Sequence, residues 1–290
     1  MTALAIGFIG FGEAGYHFAR GLGASAQLFA YDIHVTSLLR ARAAETGTVL
    51  VESPGELAER ADTLLCVVTA NSALDVARQN VGGLKERHVY ADMNSVSPNS
   101  KRTIAATIGE SQARFAEVAI MAPVPPYGHK VPLLINGPGA GEFRERLQPL
   151  GLRIDSLTGE IGAAAAVKMC RSIVVKGLEA LLFECVLGAS RYGADERVLA
   201  SLDESFPGMK IRQMADYMVG RVVVHGERRA REMEEVAEAL RDVGLEPTMA
   251  EATARFQDWS SKLDLKAQFG PKGPAGYREV VELIGRAATE

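Results

Sequence analysis

Four glycines fall within nine positions near the start of the chain, in the run Gly7-Phe8-Ile9-Gly10-Phe11-Gly12-Glu13-Ala14-Gly15. The apolar residues 4–9 read as a short strand leading into it, residues 16–21 continue as a helix, and a second apolar run, 27–31, ends at Asp32. Strand, G-x-G-x-x-G, helix, strand and an acid about 20 residues past the first glycine together predict a βαβ unit that holds a dinucleotide. In this reading Gly10 makes the tight turn, Gly12 lets the backbone approach a pyrophosphate, and Gly15 lets the helix pack closely on the strand. The phosphates meet free N–H groups and the positive pole of the helix N-terminus. Phe11, Glu13 and Ala14 complete the loop; Val68, Thr69 and Asn94, at the ends of later strands, complete the expected cofactor-binding set. Asp32 would accept from a ribose 2′-OH and repel a 2′-phosphate, which favours NAD, while His34, Arg40 and Arg42 keep NADP open.

The pattern beyond the motif separates two halves. Strand-like runs at 63–68, 88–93, 114–120 and 132–136 alternate with helical segments, the signature of an α/β domain around a mostly parallel sheet. After residue 158 the strands stop. Residues 162–192 hold no proline and carry apolar residues at helical spacing, which predicts one long, largely buried helix, and further helices are expected at 227–243 and 277–288. The expected organisation is a Rossmann-type domain over 1–158 and an all-helical domain over 159–290, joined by the long helix.

Composition narrows the partners. A net charge of -4, from 32 basic and 36 acidic residues, offers no electrostatic footprint for nucleic acid or an anionic membrane. Cys66, Cys170 and Cys185 form no C-x-x-C pair and sit in apolar surroundings, so buried thiols in a reducing compartment are expected, and no metal site. No apolar run approaches the roughly 18 residues of a membrane span, and no charged stretch precedes the first apolar run, so the expectation is a cytoplasmic protein.

Candidate chemistry lies in four further stretches. Asn94 and Ser95, in Asp92-Met93-Asn94-Ser95-Val96-Ser97-Pro98, would project from the carboxyl end of a strand, where ligands of such sheets bind. Met121-Ala122-Pro123-Val124-Pro125-Pro126-Tyr127-Gly128 is a rigid loop after the next strand. Lys168 stands early in the long helix behind four alanines; burial there would lower its pKa toward that of a general base, whereas a snorkelling ammonium is the alternative. His225, Arg228 and Arg229 share a helix face, read either as a solvated basic face or as an anion contact. Tyr127 and His129 either line a pocket mouth or belong to an exposed turn; His17 reads as structural.

In this order the motifs resemble the β-hydroxyacid dehydrogenase family, the group of 3-hydroxyisobutyrate dehydrogenase, with 6-phosphogluconate dehydrogenase as a larger relative. Its nucleotide motif is matched by Gly10, Gly12 and Gly15, its D-x-S-T-x-x-P segment by residues 92–98, its A-P-V-S-G-G loop by residues 122–127, and its helical G-x-x-x-x-x-K by Gly162 to Lys168. The resemblance implies Lys168 as catalytic acid/base, substrate contacts at Asn94, Ser95, Pro125, Tyr127, Arg171 and Ser172, and a homodimer through the helical domain. Two departures mark a divergent branch: Pro125-Pro126-Tyr127 replaces the Ser-Gly-Gly that receives a carboxylate, and Ser172 replaces an asparagine.

The implied activity is hydride transfer between a nicotinamide cofactor and a small hydroxy acid or related polyol. An imine reductase-like enzyme and a non-catalytic nucleotide sensor are the alternatives; retained Lys168 speaks against the former. Strict 6-phosphogluconate chemistry needs a second proton donor, which the resembling enzymes place as a glutamate seven positions after the lysine; this chain has Val175 there, so oxidation without efficient decarboxylation is expected. Glu179, three helical turns past Lys168, reads as too distant to replace it.

Overall fold

The computed structural model describes residues 4–287 and divides into two units, Met1–Lys168 and Met169–Glu290. The division falls later than 158/159 because the start of the long helix is hydrogen-bonded into the sheet unit. The first unit runs β1 (Ala5–Ile9), α1 (Glu13–Leu22), β2 (Gln27–Tyr31), α2 (Ser37–Thr46), β3 (Val49–Leu50), α3 (Pro54–Arg60), β4 (Thr63–Cys66), α4 (Ala73–Asn80), β5 (Val89–Asp92), α5 (Pro98–Gly109), β6 (Arg114–Ile120), β7 (Pro132–Asn136), α6 (Ala140–Leu147) and β8 (Arg153–Ser156). One sheet contains all eight strands in the order β3-β2-β1-β4-β5-β6-β7-β8. Every pairing is parallel except β6 with β7. The order reverses between β1 and β4, and ligands of such sheets bind at this switch point.

Local chemistry explains the element boundaries. The fully buried β4 and β5 are the central strands expected of a parallel sheet covered on both faces. Helices α3 and α5 both begin with a Ser-Pro pair: the serine side chain accepts from a first-turn N–H, from Glu56 and Ser100 respectively, and proline occupies the first helical position. Edge strands β3 and β8 escaped the sequence reading because one is two residues long and the other carries exposed Arg153, Asp155 and Ser156. The expected strand 63–68 stops at Cys66, where the Val68 N–H turns to a side-chain acceptor.

Helix α7 (Ala163–Arg191) opens in the first unit and continues into the second, which adds α8 (Asp195–Ser205), α9 (Ile211–Arg241), α10 (Thr248–Ser261), α11 (Leu265–Phe269) and α12 (Tyr277–Ala287). The expected helix at 227–243 is the second half of the much longer α9; residue 288 of the expected last helix lies outside the described residues. Within this unit Phe183, Leu199, Val219, Val222 and Tyr277 form the main core. Close approach of α9 and α10 requires Gly226, where a Cβ would lie 3.1 Å from the Gln257 carbonyl oxygen. The long helix is less buried than its composition suggested: Val174 is 62% and Leu181 54% exposed, and Cys170 is exposed too, so only Cys66 is a fully buried thiol. Among the described residues no helix is long and apolar enough to cross a membrane.

Burial sets one titration. His88 is fully buried; its Nδ1 accepts from the Lys85 N–H at 2.7 Å, so Nε2 carries the proton donated to the Ala58 carbonyl, also at 2.7 Å. Burial, helped by the neighbouring Arg87 charge, holds its pKa below the ordinary histidine value. The unfolded chain then binds this proton at higher pH than the folded one, so stability falls as pH drops below about 6.5 and levels off at the depressed folded-state pKa. Urea unfolding at pH 7.5 and 5.5 should show a smaller acid-induced loss for His88→Gln than for the unmodified protein; equal losses would exclude His88 as a source of acid sensitivity.

Candidate functional site

The glycine motif forms a cradle whose three glycines are required for different reasons. Gly10 adopts φ +86° and donates its N–H to the Tyr31 carbonyl at 2.8 Å; a Cβ there would come within 2.8 Å of Val68 Cγ1 and 2.9 Å of the Val67 oxygen. A Cβ on Gly15 would lie 3.0 Å from the Gly10 carbonyl oxygen. Gly12 differs, since a Cβ there would meet nothing within 4 Å. It is the N-cap of α1 and supplies no side-chain acceptor, so the first-turn N–H groups at exposed Glu13 and half-buried Ala14 face an open approach. The Phe11 ring is buried against Phe8, with centroids 5.6 Å apart, leaving only its backbone to the loop. That backbone N–H is donated to Asp32 Oδ2 at 2.8 Å, while Asp32 Oδ1 accepts from the His34 N–H at 2.9 Å. Asp32 therefore ties the cradle to the end of β2, with lone pairs left for a ribose hydroxyl. An uncapped helix start, a backbone that glycine leaves open and an acid at its edge fit a dinucleotide.

At the carboxyl ends of β4 and β5 the structure revises an expectation. Asn94 is buried and turned inward: its Oδ1 accepts from the Val68 N–H at 2.8 Å, and its Nδ2 donates to Asp92 Oδ1 at 2.5 Å and to Cys66 Sγ at 3.3 Å. Both amide protons are used inside the protein, so Asn94 braces the loop at Val68 instead of projecting for a substrate. Behind it Lys101 of α5 donates to Asp92 Oδ2 at 2.7 Å and to the Asp92 carbonyl at 2.8 Å, both side chains being 1% exposed. Burial and the nearby Asp92 charge push the Cys66 thiol up to about 12, which makes it inert. Ser95 is half-buried, and Thr69 is exposed with its hydroxyl 2.9 Å from that of Ser72.

The loop after β6 offers no backbone donor over its Pro-Pro-Tyr segment. Pro125 and Pro126 have no N–H, and those of Tyr127 and Gly128 both go to the Val124 carbonyl, at 3.0 and 2.7 Å. Pro125, Pro126 and Tyr127 are exposed. His129 is fixed elsewhere, with its ring over Gly21 of α1, where a Cβ would overlap Nδ1, so it does not belong to an exposed turn.

Sequence reasoning passed over Glu117, in the middle of β6 and fully buried. Its Oε2 accepts from the Gly162 N–H and its Oε1 from the Ala165 N–H, both at 2.7 Å. These groups open α7, which carries Lys168, half-buried, at the end of the first unit. The signal was present as a single acid inside the apolar run Phe115-Ala116-Glu117-Val118-Ala119-Ile120.

Along α7 in the second unit, Arg171 is exposed, whereas Ser172 is buried and its hydroxyl accepts from Lys176 Nζ at 2.9 Å. Lys176 also pairs with Glu232 at 2.9 Å; its pKa is lowered by burial against the opposing pull of that carboxylate. Glu179 is buried and held by Arg229 and by Arg221, the latter at 3.5 Å. Burial raises its pKa against the pull of both arginines. The expected face of His225, Arg228 and Arg229 is not uniform: Arg229 is buried on Glu179, Arg228 is exposed on Glu232, and half-buried His225 is held neutral, its pKa down to about 4 from burial and then from Arg228, Arg221 and Arg229.

Known proteins match both parts of the chain. Residues 5–124 match the NAD binding domain of 6-phosphogluconate dehydrogenase, and residues 189–260 match a domain of unknown function, DUF1932. A conserved hypothetical protein from Sinorhizobium meliloti is 38% identical, with 98% of this chain and 97% of that one covered and a TM-score of 0.79. A conserved protein of unknown function, reported as structurally similar to 3-hydroxyacid dehydrogenases, is 30% identical over 91% of this chain and 99% of its own, with a TM-score of 0.75. The 3-hydroxyisobutyrate dehydrogenase of Mycobacterium tuberculosis, solved with L-serine, shares the fold at 16% identity, with 98% and 99% covered and a TM-score of 0.74.

The Asp92–Lys101 pair gives a direct test of the brace. Lys101→Met should cost about 3–5 kcal/mol by leaving Asp92 buried and unpaired, and the double variant Asp92→Leu/Lys101→Met should recover part of that loss. Denaturant unfolding measures both; a single variant costing under about 1 kcal/mol would show that the pair is not a buried charge in solution.

Proposed function

Because the chain belongs to the 3-hydroxyacid dehydrogenase family, on a divergent branch whose second unit carries the DUF1932 domain, we propose that it is a nicotinamide-dependent oxidoreductase acting on the CH–OH group of a small hydroxy acid or related polyol. The observation that carries this reading is the cradle: an open backbone at Gly12, an uncapped start of α1 and Asp32 at its edge, in the same unit as Lys168. Backbone N–H groups of residues 12–15, at the uncapped start of α1, would hold the pyrophosphate and Asp32 the ribose, while Asn94 keeps the Val68–Thr69 border in place. When bound, the nicotinamide supplies the hydride acceptor. Lys168 as a free amine takes the hydroxyl proton, and as an ammonium returns it in the reverse direction. Ser95, Pro125 and Tyr127 are the proposed substrate contacts of the first unit. The internally satisfied Pro-Pro-Tyr segment supports a substrate whose carboxylate, if present, is not received by that loop. Exposed Val174 and Leu181 support a homodimer through the helical unit.

Cofactor choice follows from Asp32. NADH should bind more tightly than NADPH in a fluorescence titration, and Asp32→Ala should narrow the gap by weakening NADH the more. Equal or reversed affinities in the unmodified protein would remove the basis for NAD. For the proton acceptor, a screen of hydroxy acids and sugar acids, read by absorbance of the reduced cofactor, supplies the assay. Lys168→Met should then keep NADH affinity and lower kcat by roughly 10²- to 10⁴-fold. Near-normal turnover in that variant would take Lys168 out of the mechanism.

A further inference from the structure

A carboxylate in the middle of a buried strand carries a desolvation cost that persists only where the charge is hydrogen-bonded. Glu117 is 0% exposed, and the partners that satisfy it are backbone N–H groups of Gly162 and Ala165, two of the orphan donors at the start of α7. Capping is ordinarily done by the residue that precedes the helix; here the acceptor comes from a strand 45 residues earlier in the chain. The same end of the helix is held twice more. Gly162 has φ +103° and sits so close to α5 that a Cβ would lie 3.0 Å from an Arg102 guanidinium nitrogen and 3.1 Å from Pro98. Asn136 of β7 donates its side-chain N–H to the Glu160 carbonyl at 2.6 Å. The start of α7 is thereby fixed to β6, β7 and α5.

Ala165 and Lys168 are three residues apart and share a helix face, with about 4.5 Å of rise between them. Helical side chains lean toward the N-terminus, which aims a side chain at position 168 back toward the turn that Glu117 holds. We propose that Glu117 is a positioning residue for Lys168: its buried carboxylate sets where the lysine-bearing turn stands and, by its charge, the proton affinity of the amine. This rests on the reading of Lys168 as proton acceptor only for its meaning in the reaction. The positive pole of α7 disfavours an ammonium in its early turns, and an anion on the first turn offsets that pole. Charged groups along this stretch include Glu160 before the helix, Arg102 of α5 against Gly162, and Arg171 in the following turn.

The test needs no substrate. Competitive acylation of the full-length protein with acetic anhydride across a pH series, read by peptide mass spectrometry, gives the titration midpoint of Lys168 beside that of exposed Lys262 as internal reference. Glu117→Gln removes the charge and should lower the Lys168 midpoint by about 1 pH unit. Glu117→Asp keeps the charge but withdraws it by one methylene, and should lower the midpoint by less, in the same direction. Lys262 should not move in either. A Lys168 midpoint unchanged in a folded Glu117→Gln variant overturns the proposal, and if that variant does not fold, an unchanged midpoint in Glu117→Asp overturns it. Loss of the catalytic reading is seen separately, as unimpaired turnover by Lys168→Met, and leaves this coupling measurable.

Discussion

Three acidic side chains, two at the carboxyl ends of strands and one inside a strand, tie loops or a helix start to another element. Asp32, after β2, accepts from the Phe11 N–H in the glycine loop; Asp92, at the end of β5, orients Asn94, which accepts from the Val68 N–H; and Glu117, in β6, accepts from the first turn of α7. The cause is general to parallel sheets. Strands leave their ladders at the same end, the loops there keep unpaired N–H groups, and a buried N–H without an acceptor costs about 1–3 kcal/mol. Carboxylates answer this with strong, directional acceptance, and burial leaves them few alternative positions. The cradle, the Val68 border and the lysine-bearing helix all depend on these three attachments.

The helical unit places charge inside for another purpose. Glu179 against Arg229 and Arg221, and Lys176 between Ser172 and Glu232, form an ionic seam between α7 and α9. Such pairs add little net stability over apolar packing, but breaking one is expensive, so they select one register of two long helices that could otherwise slide. They also commit Glu179, which leaves it no role as a general acid. Apolar Val174 and Leu181 on the same helix face outward.

The βαβ alternation, the glycine cradle with Asp32 beside it and the one long helix were legible in the sequence because they rest on local rules: glycine where φ is positive, and the short-run and helical spacing of apolar residues. Edge strands β3 and β8, the true length of α9 and the exposure of Cys170 were not, because pairing and burial depend on neighbours distant in the chain. Two site residues changed character for the same reason. Asn94, a polar residue after a strand, looked available, and only packing showed both of its amide protons already donated to Asp92 and Cys66. Glu117, a single acid inside an apolar run, drew no reading from the sequence, and only the return of the chain at Gly162 and Ala165 gave its carboxylate partners. By itself the sequence determined where glycine turns the backbone into the cradle and where the strands give way to helices. Which acid holds which N–H was decided by the tertiary structure, because a buried charge is placed by partners that sequence distance does not reveal.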